Sequence, residues 1–449
     1  MIRNMDQNHV ITIDQELELM NNQMKESPKL LNMLAGKSSC CIYRVPRSLD
    51  EIKKEAYQPR IVSIGPYHYG NKDLEMIQEH KGRFLDDMIT RTGKSLSVFM
   101  NIIVPLDNEI QESYSEYIDL IPNDLAKMMV LDGVFLIELF RKVGKLVDTH
   151  PDDPIFKVTW IVPLLMRDIL RIENQIPFFV LQKLFEESKT GDRKLQSLIL
   201  EFFNRAVGRQ RDVLEKFENL DGKHLLDFFR QSFITNKNRN TNYPKKDVKS
   251  NNLSLKFIPS ATKLIKIGVN FKANYEADSF LDVEFQNGML LVPQINFNDF
   301  FYSFLLNCLA FEQCNFHCSK HITTYVVFMG CLINTSIDLG LLSESEIIVN
   351  CFGSDHDIEK FFKDVGKDMI MGIDDNYLSS LFMNVNKYGK DCGIYNGSRL
   401  SMPTGRWGGL NVFYYVFCAA LFSNYSNSLH CFFVLRTKPI SDVSGSGRS

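Results

Sequence analysis

The sequence predicts an α+β protein that is predominantly α-helical and carries a small antiparallel β-meander. Three observations support this class. Long stretches repeat apolar residues at helical spacing, an Asn-Gly pair separates two short apolar runs, and 45% of the residues are apolar against 23% charged. With 449 residues the chain can bury a full core, and we expect two or three lobes.

Composition and charge argue against several classes of protein. The formal net charge of -3 provides no broad basic footprint, so we expect no nucleic-acid partner. Residues 1–39 form a polar segment without a cationic stretch that leads into an apolar one, which predicts an intracellular, cytoplasmic protein without a secretory signal. The ten cysteines are irregularly spaced and indicate reduced thiols rather than a disulfide framework.

Residues 40–235 predict a helical lobe. β-rich runs at 40–46 and 60–68 contain Pro and Gly, which is typical of extended segments and turns. Helical spacing then predicts helices over 76–91, 123–144 with Asn123 as N-cap, 160–187 with an interruption at Pro177, 194–217 and 224–233. The helix over 123–144 is apolar almost all round, so we expect it at the centre of the core.

A polar, Asn-rich stretch over 236–252 predicts a linker or long loop and marks the main boundary in the chain. Its basic residues could contact an anionic surface, but no aromatic platform accompanies them, and a solvated loop is the favoured interpretation. They are Lys237, Arg239, Lys245, Lys246 and Lys249.

Residues 253–391 predict the β-meander plus a second helical lobe. The meander consists of a strand over 263–271 and a hairpin in which 280–285 pairs with 289–292, because Asn287-Gly288 suits a type I′ turn with positive φ. Helices are expected over 296–316 with Asn296 or Asn298 as N-cap, 323–339, 343–351, 354–364 and 377–385.

Residues 392–449 predict a divergent C-terminal tail with a short apolar stretch. The stretch over 411–422 is shorter than the roughly 20 apolar residues that span a bilayer, although the longer window 411–435 could attach the chain to a membrane.

A cluster of cysteine and histidine residues is the pattern in the sequence that most resembles a metal-binding site. Cys314, His317, Cys318 and His321 could place zinc ligands on adjacent helical turns. Structural zinc sites usually combine two separated ligand pairs, and no second pair is near in sequence. A helix end with buried thiols and partly exposed imidazoles is therefore favoured, and we assign no metal.

The segment SIGPYH invites a serine-nucleophile interpretation through Ser63 and His68. It lacks the flanking glycines of a nucleophile elbow, so a structural turn is favoured. Because the loop is shaped by Pro and Gly and exposes polar aromatic tips, we predict an interaction loop that contains Arg60, Tyr67, His68 and Tyr69.

The charged residues before Pro177 are spaced for local ion pairs on one helix turn. Arg167, Asp168, Arg171 and Glu173 predict a solvated or fold-locking network rather than an acid/base pair. The sequence contains no Walker loop, Rossmann glycine fingerprint, HExxH or EF-hand loop. We therefore assign no catalytic residue and no cofactor.

Eight segments occur in a recognisable order: CCIYRVP, QPRIVSIGPYHYG with the KGRF helix, MMVLDGVFLIELF, DILRIENQIPFFVLQKLF, IPSATKLIKIGVNFK, FLDVEFQNGMLLVP, LAFEQC with ITTYVVFMGCLINT, and NYLSSLFMNVNKYGKD. Over about residues 40–391 the chain resembles the plant family called domain of unknown function 247, or uncharacterised protein family 0481. The resemblance implies a land-plant protein without an assigned enzymatic activity. Some members are associated with self-incompatibility or with suppression of female organs. Members usually end in a hydrophobic anchor, a pattern from which this chain departs after Asp391.

These observations favour a non-catalytic regulatory or recognition protein that acts through contacts with an unknown protein partner in reproductive development. Two alternatives stay open. One is a membrane-tethered signalling component attached through 411–435, and the other is an enzyme whose site has no familiar motif.

Overall fold

The computed structural model describes residues 30–189, 191–239, 257–367 and 376–391, together with residues 17, 18 and 20. The predicted tail over 392–449, with its apolar segment, lies outside the described residues. So does the predicted loop over 236–252, except for its first four positions.

The first half of the chain is helical. Its helices are, in chain order, Arg47–Lys53 (α1), Glu75–Thr92 (α2), Leu96–Ile103 (α3), Asp107–Glu112 (α4), Pro122–Val143 (α5), Pro154–Lys157 (α6), Ile161–Ile169 (α7), Phe178–Glu187 (α8), Leu195–Val207 (α9), Arg211–Glu215 (α10), Leu225–Gln231 (α11) and Asn236–Arg239 (α12).

The second half combines helices with short strands. Its elements are Ala261–Lys266 (α13), Asn270–Ala273 (β1), Glu284–Gln286 (β2), Met289–Val292 (β3), Ile295–Phe297 (β4), Asp299–Cys314 (α14), His321–Leu332 (α15), Ser336–Glu344 (α16), Ile348–Asn350 (β5), Asp355–Lys367 (α17) and Ser379–Asp391 (α18). This confirms the predicted fold class, α+β with helices predominant.

Helix α5 lies at the centre of the first half, as predicted. Nearly every position from Met128 onward is buried, and the helix packs against α2 and α8. Gly133 permits the close approach of α8, because a Cβ at this position would lie 2.4 Å from Leu184 Cδ1. The predicted N-cap is wrong, since the helix already starts at Pro122, whose missing N–H and fixed φ suit the first helical position.

Two segments that were predicted as long helical regions, 160–187 with an interruption at Pro177 and 194–217 without one, are each divided. Helix α7 ends at Ile169, well before Pro177, and a turn precedes α8. In this turn Gln175 Nε2 donates to the carbonyl oxygens of Ile169 and Arg171, both at 2.7 Å, and so replaces helical hydrogen bonds. The predicted helix over 194–217 is divided into α9, which ends at Val207, and α10. The C-cap of α9 is Gly208, which adopts φ +73° in the left-handed region.

The segment over 323–351 also differs from its prediction. Helix α15 ends at Leu332, and Thr335 opens α16 with a capping box that it forms with Asp338. The helix predicted over 343–351 is wrong. Residues 348–350 instead form β5, which pairs in parallel with β4, because the run Ile347-Ile348-Val349 is β-branched.

The predicted hairpin is confirmed, although its first strand covers 284–286 rather than 280–285, and the strand before it is only partly correct. Phe285 pairs with Leu290 across Asn287 and Gly288, whose φ values are +50° and +76°. Residues 261–266 form α13 rather than the start of a strand. Strand β1 begins later and pairs in parallel with β3, so the sheet is mixed, with order β1-β3-β2, rather than an antiparallel meander.

The described residues belong to one compact unit, and buried polar side chains connect its two halves. Asn307 of α14 accepts a hydrogen bond from the N–H of Ile172 and donates to the carbonyl oxygen of Ala56, both at 3.0 Å. Arg230 of α11 donates to Glu312 of α14, also at 3.0 Å. Polar groups at these depths require such partners, so these hydrogen bonds fix how the helices meet.

No single helix in the described part of the chain is long and apolar enough to cross a membrane. Helices α15 and α16 satisfy length and composition criteria only as a pair, with a 107° bend between them.

Candidate functional site

The start of the loop over residues 58–70 is held by the buried carboxylate of Asp168. Its Oδ2 accepts hydrogen bonds from the consecutive backbone N–H groups of residues 60–62, at 2.8, 2.8 and 3.3 Å. Its Oδ1 accepts from Arg171 Nε at 2.9 Å. The carboxylate is therefore fully paired, and it positions the loop rather than serving as a free acid or base.

The middle of the loop is held by a second buried carboxylate, that of Asp132 on α5. Asp132 Oδ2 accepts from the N–H of Gly65 at 2.7 Å, and its Oδ1 is paired with Lys81 Nζ of α2, which also donates to the Ser63 carbonyl oxygen. Gly65 has φ +76°, and a Cβ there would lie 2.3 Å from Gln175 O. Only glycine satisfies both constraints.

At the end of the loop, Glu173 connects His68 to Arg44. Glu173 Oε1 accepts from the N–H of Val45 at 2.8 Å, and Oε2 lies 3.0 Å from Arg44 Nη1 and 3.4 Å from His68 Nε2. Burial favours the neutral acid, but His68, the Val45 N–H and Arg44 together hold the pKa of Glu173 below its ordinary value. Glu173 is thus an anion at neutral pH, and it fixes the position of Arg44.

Arg44 lies at the boundary between this network and solvent, with its side chain 40% exposed. Its guanidinium carbon lies 4.1 Å from the ring centroid of Tyr67, and its Nε lies 3.2 Å from Glu116 Oε2. Tyr67 is itself fixed, because its hydroxyl donates to the Ile42 carbonyl oxygen at 3.3 Å and its ring packs edge-on against Tyr114. The arginine therefore has a defined orientation before any partner binds.

Three chain segments next to Arg44 carry exposed apolar side chains. The N–H of Asn32 donates to the Ser115 carbonyl oxygen at 3.0 Å, so the N-terminal segment lies along the segment that carries Glu116. The Cys314 thiol lies 3.9 Å from the Arg44 carbonyl oxygen, which places the loop after α14 beside the same residue.

The exposed side chains on these segments and on the 58–70 loop define a surface. Their exposed fractions are 73% for Leu31, 83% for Met33, 52% for Tyr69, 59% for Tyr117 and 90% for Phe316. Single exposed apolar residues are ordinary, whereas several on adjoining segments make this region the candidate interaction surface. We name these five residues, together with Arg44, the Arg44 surface.

The structure brings together only part of the predicted interaction loop. Tyr67 and His68 contact the Arg44 and Glu173 network directly, and Tyr69 is exposed beside them. Arg60 is separate from the other three: its backbone N–H is bound by Asp168, and its exposed side chain makes no hydrogen bond or ion pair with any described residue.

Ser63 and His68 do not form a nucleophile and base. Ser63 is buried and its hydroxyl has no hydrogen-bond partner among the described residues, whereas the imidazole of His68 faces Glu173. The segment forms a structural turn, with a short 3-10 helix over Pro66–His68.

The side chains of the predicted cysteine and histidine cluster contact different groups and do not converge on one point. Cys314 faces the Arg44 carbonyl oxygen, the thiol of Cys318 lies 3.3 Å from the Asn315 carbonyl oxygen, and the His321 ring stacks on Tyr377. Within the described ranges, no group of three or more His, Cys, Asp or Glu side chains could hold a metal ion. Burial raises the pKa of Cys314 to about 12 and that of Cys318 to about 11, so both thiols stay protonated at neutral pH.

Sequence reasoning did not identify Arg44 and Glu116 as site residues. The only local signal is the position of Arg44 between Tyr43 and Val45-Pro46 in a β-rich run. Glu116 lies 72 residues further along the chain, and no periodicity connects the two.

Comparisons with known proteins agree with the architecture. The profile of DUF247, described as a plant protein of unknown function, matches residues 42–422. The UPF0481 protein At3g47200 of Arabidopsis thaliana is 38% identical over 422 residues, which cover 88% of this chain and 86% of that protein. The putative UPF0481 protein At3g02645 of the same plant is 28% identical over 209 residues, or 43% of this chain and 37% of that protein.

No solved structure matches the chain. The profile match spans most of the described residues, and the first of these relatives aligns over most of both chains. The chain therefore belongs to the DUF247 family of plant proteins of unknown function.

Proposed function

We propose that this chain is a non-catalytic regulatory or recognition protein that binds a protein partner through the Arg44 surface. The observation that carries the proposal is the group of exposed apolar side chains on segments that adjoin a pre-oriented, partly exposed arginine. Arginine and tyrosine are enriched at the energetic centres of interfaces, and a side chain that is already fixed loses little conformational entropy on binding.

The buried acidic and basic side chains form structural hydrogen bonds and ion pairs, and this supports a non-catalytic role. Asp132, Asp168 and Glu173 all bind backbone N–H groups and cationic side chains. His224 caps α11 through Nδ1 and donates from Nε2 to the Cys41 carbonyl oxygen. Groups that are fully engaged in holding backbone are poorly suited to exchange protons with a substrate.

The biological setting that we propose is reproductive development, because the family that the chain resembles includes members at self-incompatibility loci and members that suppress female organs. Developing flowers are therefore the source in which we expect the partner.

A capture experiment with matched surface variants tests the proposal. Immobilised full-length chain is exposed to extract from developing flowers as wild type, as Phe316→Asp, and as Ile337→Asp on the exposed surface of α16, where Ile337 is 68% exposed. Both changes place a charge at an exposed apolar position, so neither should unfold the chain. We expect wild type and Ile337→Asp to recover the same partner and Phe316→Asp to recover at least about tenfold less.

Two results would contradict the proposal. Equal recovery by Phe316→Asp and wild type would show that binding does not use the Arg44 surface. Failure of wild type to recover any reproducible partner would count against protein recognition itself.

A further inference from the structure

A cleft of about 710 Å³ borders the mixed sheet, and none of the residues of the Arg44 surface lines it. Its lining includes Gln286 of β2, Leu291 of β3 and residues of α12. Phe217 and Leu220, which follow α10, form an apolar part of the lining. The volume lies within the roughly 300–1,000 Å³ that is typical of small-molecule sites.

Most of the charged groups in the lining are already paired with one another. Lys216 Nζ lies 2.8 and 2.7 Å from the two carboxylate oxygens of Asp278, and Lys237 forms an ion pair with Glu284. Because opposite charges cancel within the wall, the cleft presents fixed donors and acceptors with little net field.

A buried carboxylate at the base of the cleft is similarly fixed. Asp282 Oδ1 accepts hydrogen bonds from Thr235 Oγ1 and Asn238 Nδ2, both at 2.8 Å, and Oδ2 accepts from the N–H of Ser279 at 3.1 Å. Burial raises the pKa of Asp282 above its ordinary value in spite of these donors. The base of the cleft is thus rigid and polar.

Other lining groups are available to a ligand. The exposed side chains of Asn236, Arg239 and Glu276 line the cleft and make no hydrogen bond or ion pair with any residue that the structure describes. They supply an amide, a cationic donor and an anionic acceptor in the lining of the same cavity.

The charge balance of the lining selects among ligand classes. Four carboxylates, those of Glu276, Asp278, Asp282 and Glu284, stand against the three cations Lys216, Lys237 and Arg239, so the lining has no excess of either sign that would favour a phosphorylated ligand or a simple cation. Mixed donors and acceptors suit hydroxyl groups, each of which can donate and accept one hydrogen bond or more. The apolar part of the lining can cover the C–H face of a sugar ring.

We propose that this cleft binds a neutral carbohydrate of one or two sugar units, with Glu276 and Asn236 among the groups that bind its hydroxyls. The proposal is independent of protein recognition at the Arg44 surface.

The test uses sucrose, maltose and cellobiose as separate probes, with saturation-transfer difference NMR on the full-length chain and thermal melting as a second readout. We expect at least one disaccharide to bind wild type, Glu276→Gln to bind it about tenfold more weakly, and Gln286→Trp to lose it because the indole fills the cleft. Ile337→Trp is the matched control, since Ile337 is 68% exposed on α16 and does not line the cleft. It should bind as wild type does.

Three results would overturn the proposal. The first is the absence of both transfer and a melting shift in wild type with all three sugars. The second is a Gln286→Trp variant that is correctly folded by circular dichroism and binds as tightly as Ile337→Trp, which would place the sugar elsewhere. The third is binding of free lysine or glutamate where the sugars do not bind, which would assign the cleft to a zwitterion.

Discussion

Single buried carboxylates hold the loop that carries part of the candidate site, and Asp168 is the clearest case. Asp168→Asn should lower the free energy of unfolding by about 3 kcal/mol or more, because Arg171 loses its anionic partner while both remain buried. Asp299→Asn is the matched control: its carboxylate lies 3.7 Å from Arg167, is 70% exposed, and should cost less than about 1 kcal/mol. Urea unfolding measures both. Equal effects would show that Asp168 does not hold the loop.

Two buried histidines predict a pH dependence of stability. Burial, as the largest cause, lowers the pKa of His224 and that of His321 to about 4, against an ordinary value of 6.5. The unfolded chain therefore binds two more protons than the folded chain between these values. Their contribution to the free energy of unfolding is fully present above pH 6.5. It is lost on acidification towards pH 4, by up to about 1.4 kcal/mol per pH unit for each histidine.

A variant of His321 isolates one of these contributions. His321→Phe keeps a ring for stacking on Tyr377 and should remove about half of the change in unfolding free energy between pH 7 and pH 5. His356→Phe, at an exposed position, should retain the wild-type dependence. Glu173, whose pKa is held low, adds to the loss only below about pH 4.5. An unchanged slope in His321→Phe would refute this account.

The sequence predicted residue chemistry better than residue partners. Spacing correctly indicated that Asp168 and Arg171 can pair within one helix turn, and they do so at 2.9 Å. It could not show that Asp168 also binds backbone at residues 60–62, because that contact depends on how α7 packs against a distant loop. The same reason explains why Arg44 and Glu116 were missed.

At the scale of elements, the turn at Gly65 offers a sharp test of close packing. Gly65 and Gly70 both have positive φ, +76° and +78°, so alanine adds similar backbone strain at each. Only at Gly65 would the added methyl group clash with a neighbouring residue. A Cβ at Gly65 would lie 2.3 Å from Gln175 O, whereas no atom lies within 4 Å of a Cβ placed at Gly70. Gly70→Ala should cost roughly 1–2 kcal/mol, and Gly65→Ala at least about 2 kcal/mol more.

Thermal or urea unfolding of the two alanine variants gives this difference directly. If Gly65→Ala costs no more than Gly70→Ala, the loop is not held against the Gln175 backbone as the structure has it.

Local chemistry explains which elements the sequence predicted. The hairpin at Asn287-Gly288 depends on φ values within two residues, and it was predicted correctly. The run Lys263 to Ile267 was predicted as part of a strand, but its apolar residues at 264, 265 and 267 also fit a helical turn. The structure has a helix here, over 261–266. At its start, the N–H and the hydroxyl of Thr262 donate hydrogen bonds to the carboxylate of Asp338, which lies far along the chain in α16. Tertiary contacts of this kind are invisible to periodicity.

At the scale of the whole molecule, the Arg44 surface consists of segments that are far apart in sequence. Of its residues, only Tyr69 was named from the sequence, because it lies in the same Pro/Gly turn as Tyr67 and His68. Phe316 and Met33 join the surface only through folding. The apolar spacing of α14 predicted a helix up to this point but not which side of the molecule its end would reach.

Hydrogen–deuterium exchange of the full-length chain, alone and with the captured partner, tests the central claim most directly. We predict that the partner slows exchange in residues 66–70, 113–117 and 314–320 and leaves α16 unchanged, because binding covers the Arg44 surface and nothing at α16. Protection confined to other segments, such as those that line the cleft over the mixed sheet, would contradict the assignment of recognition to this surface.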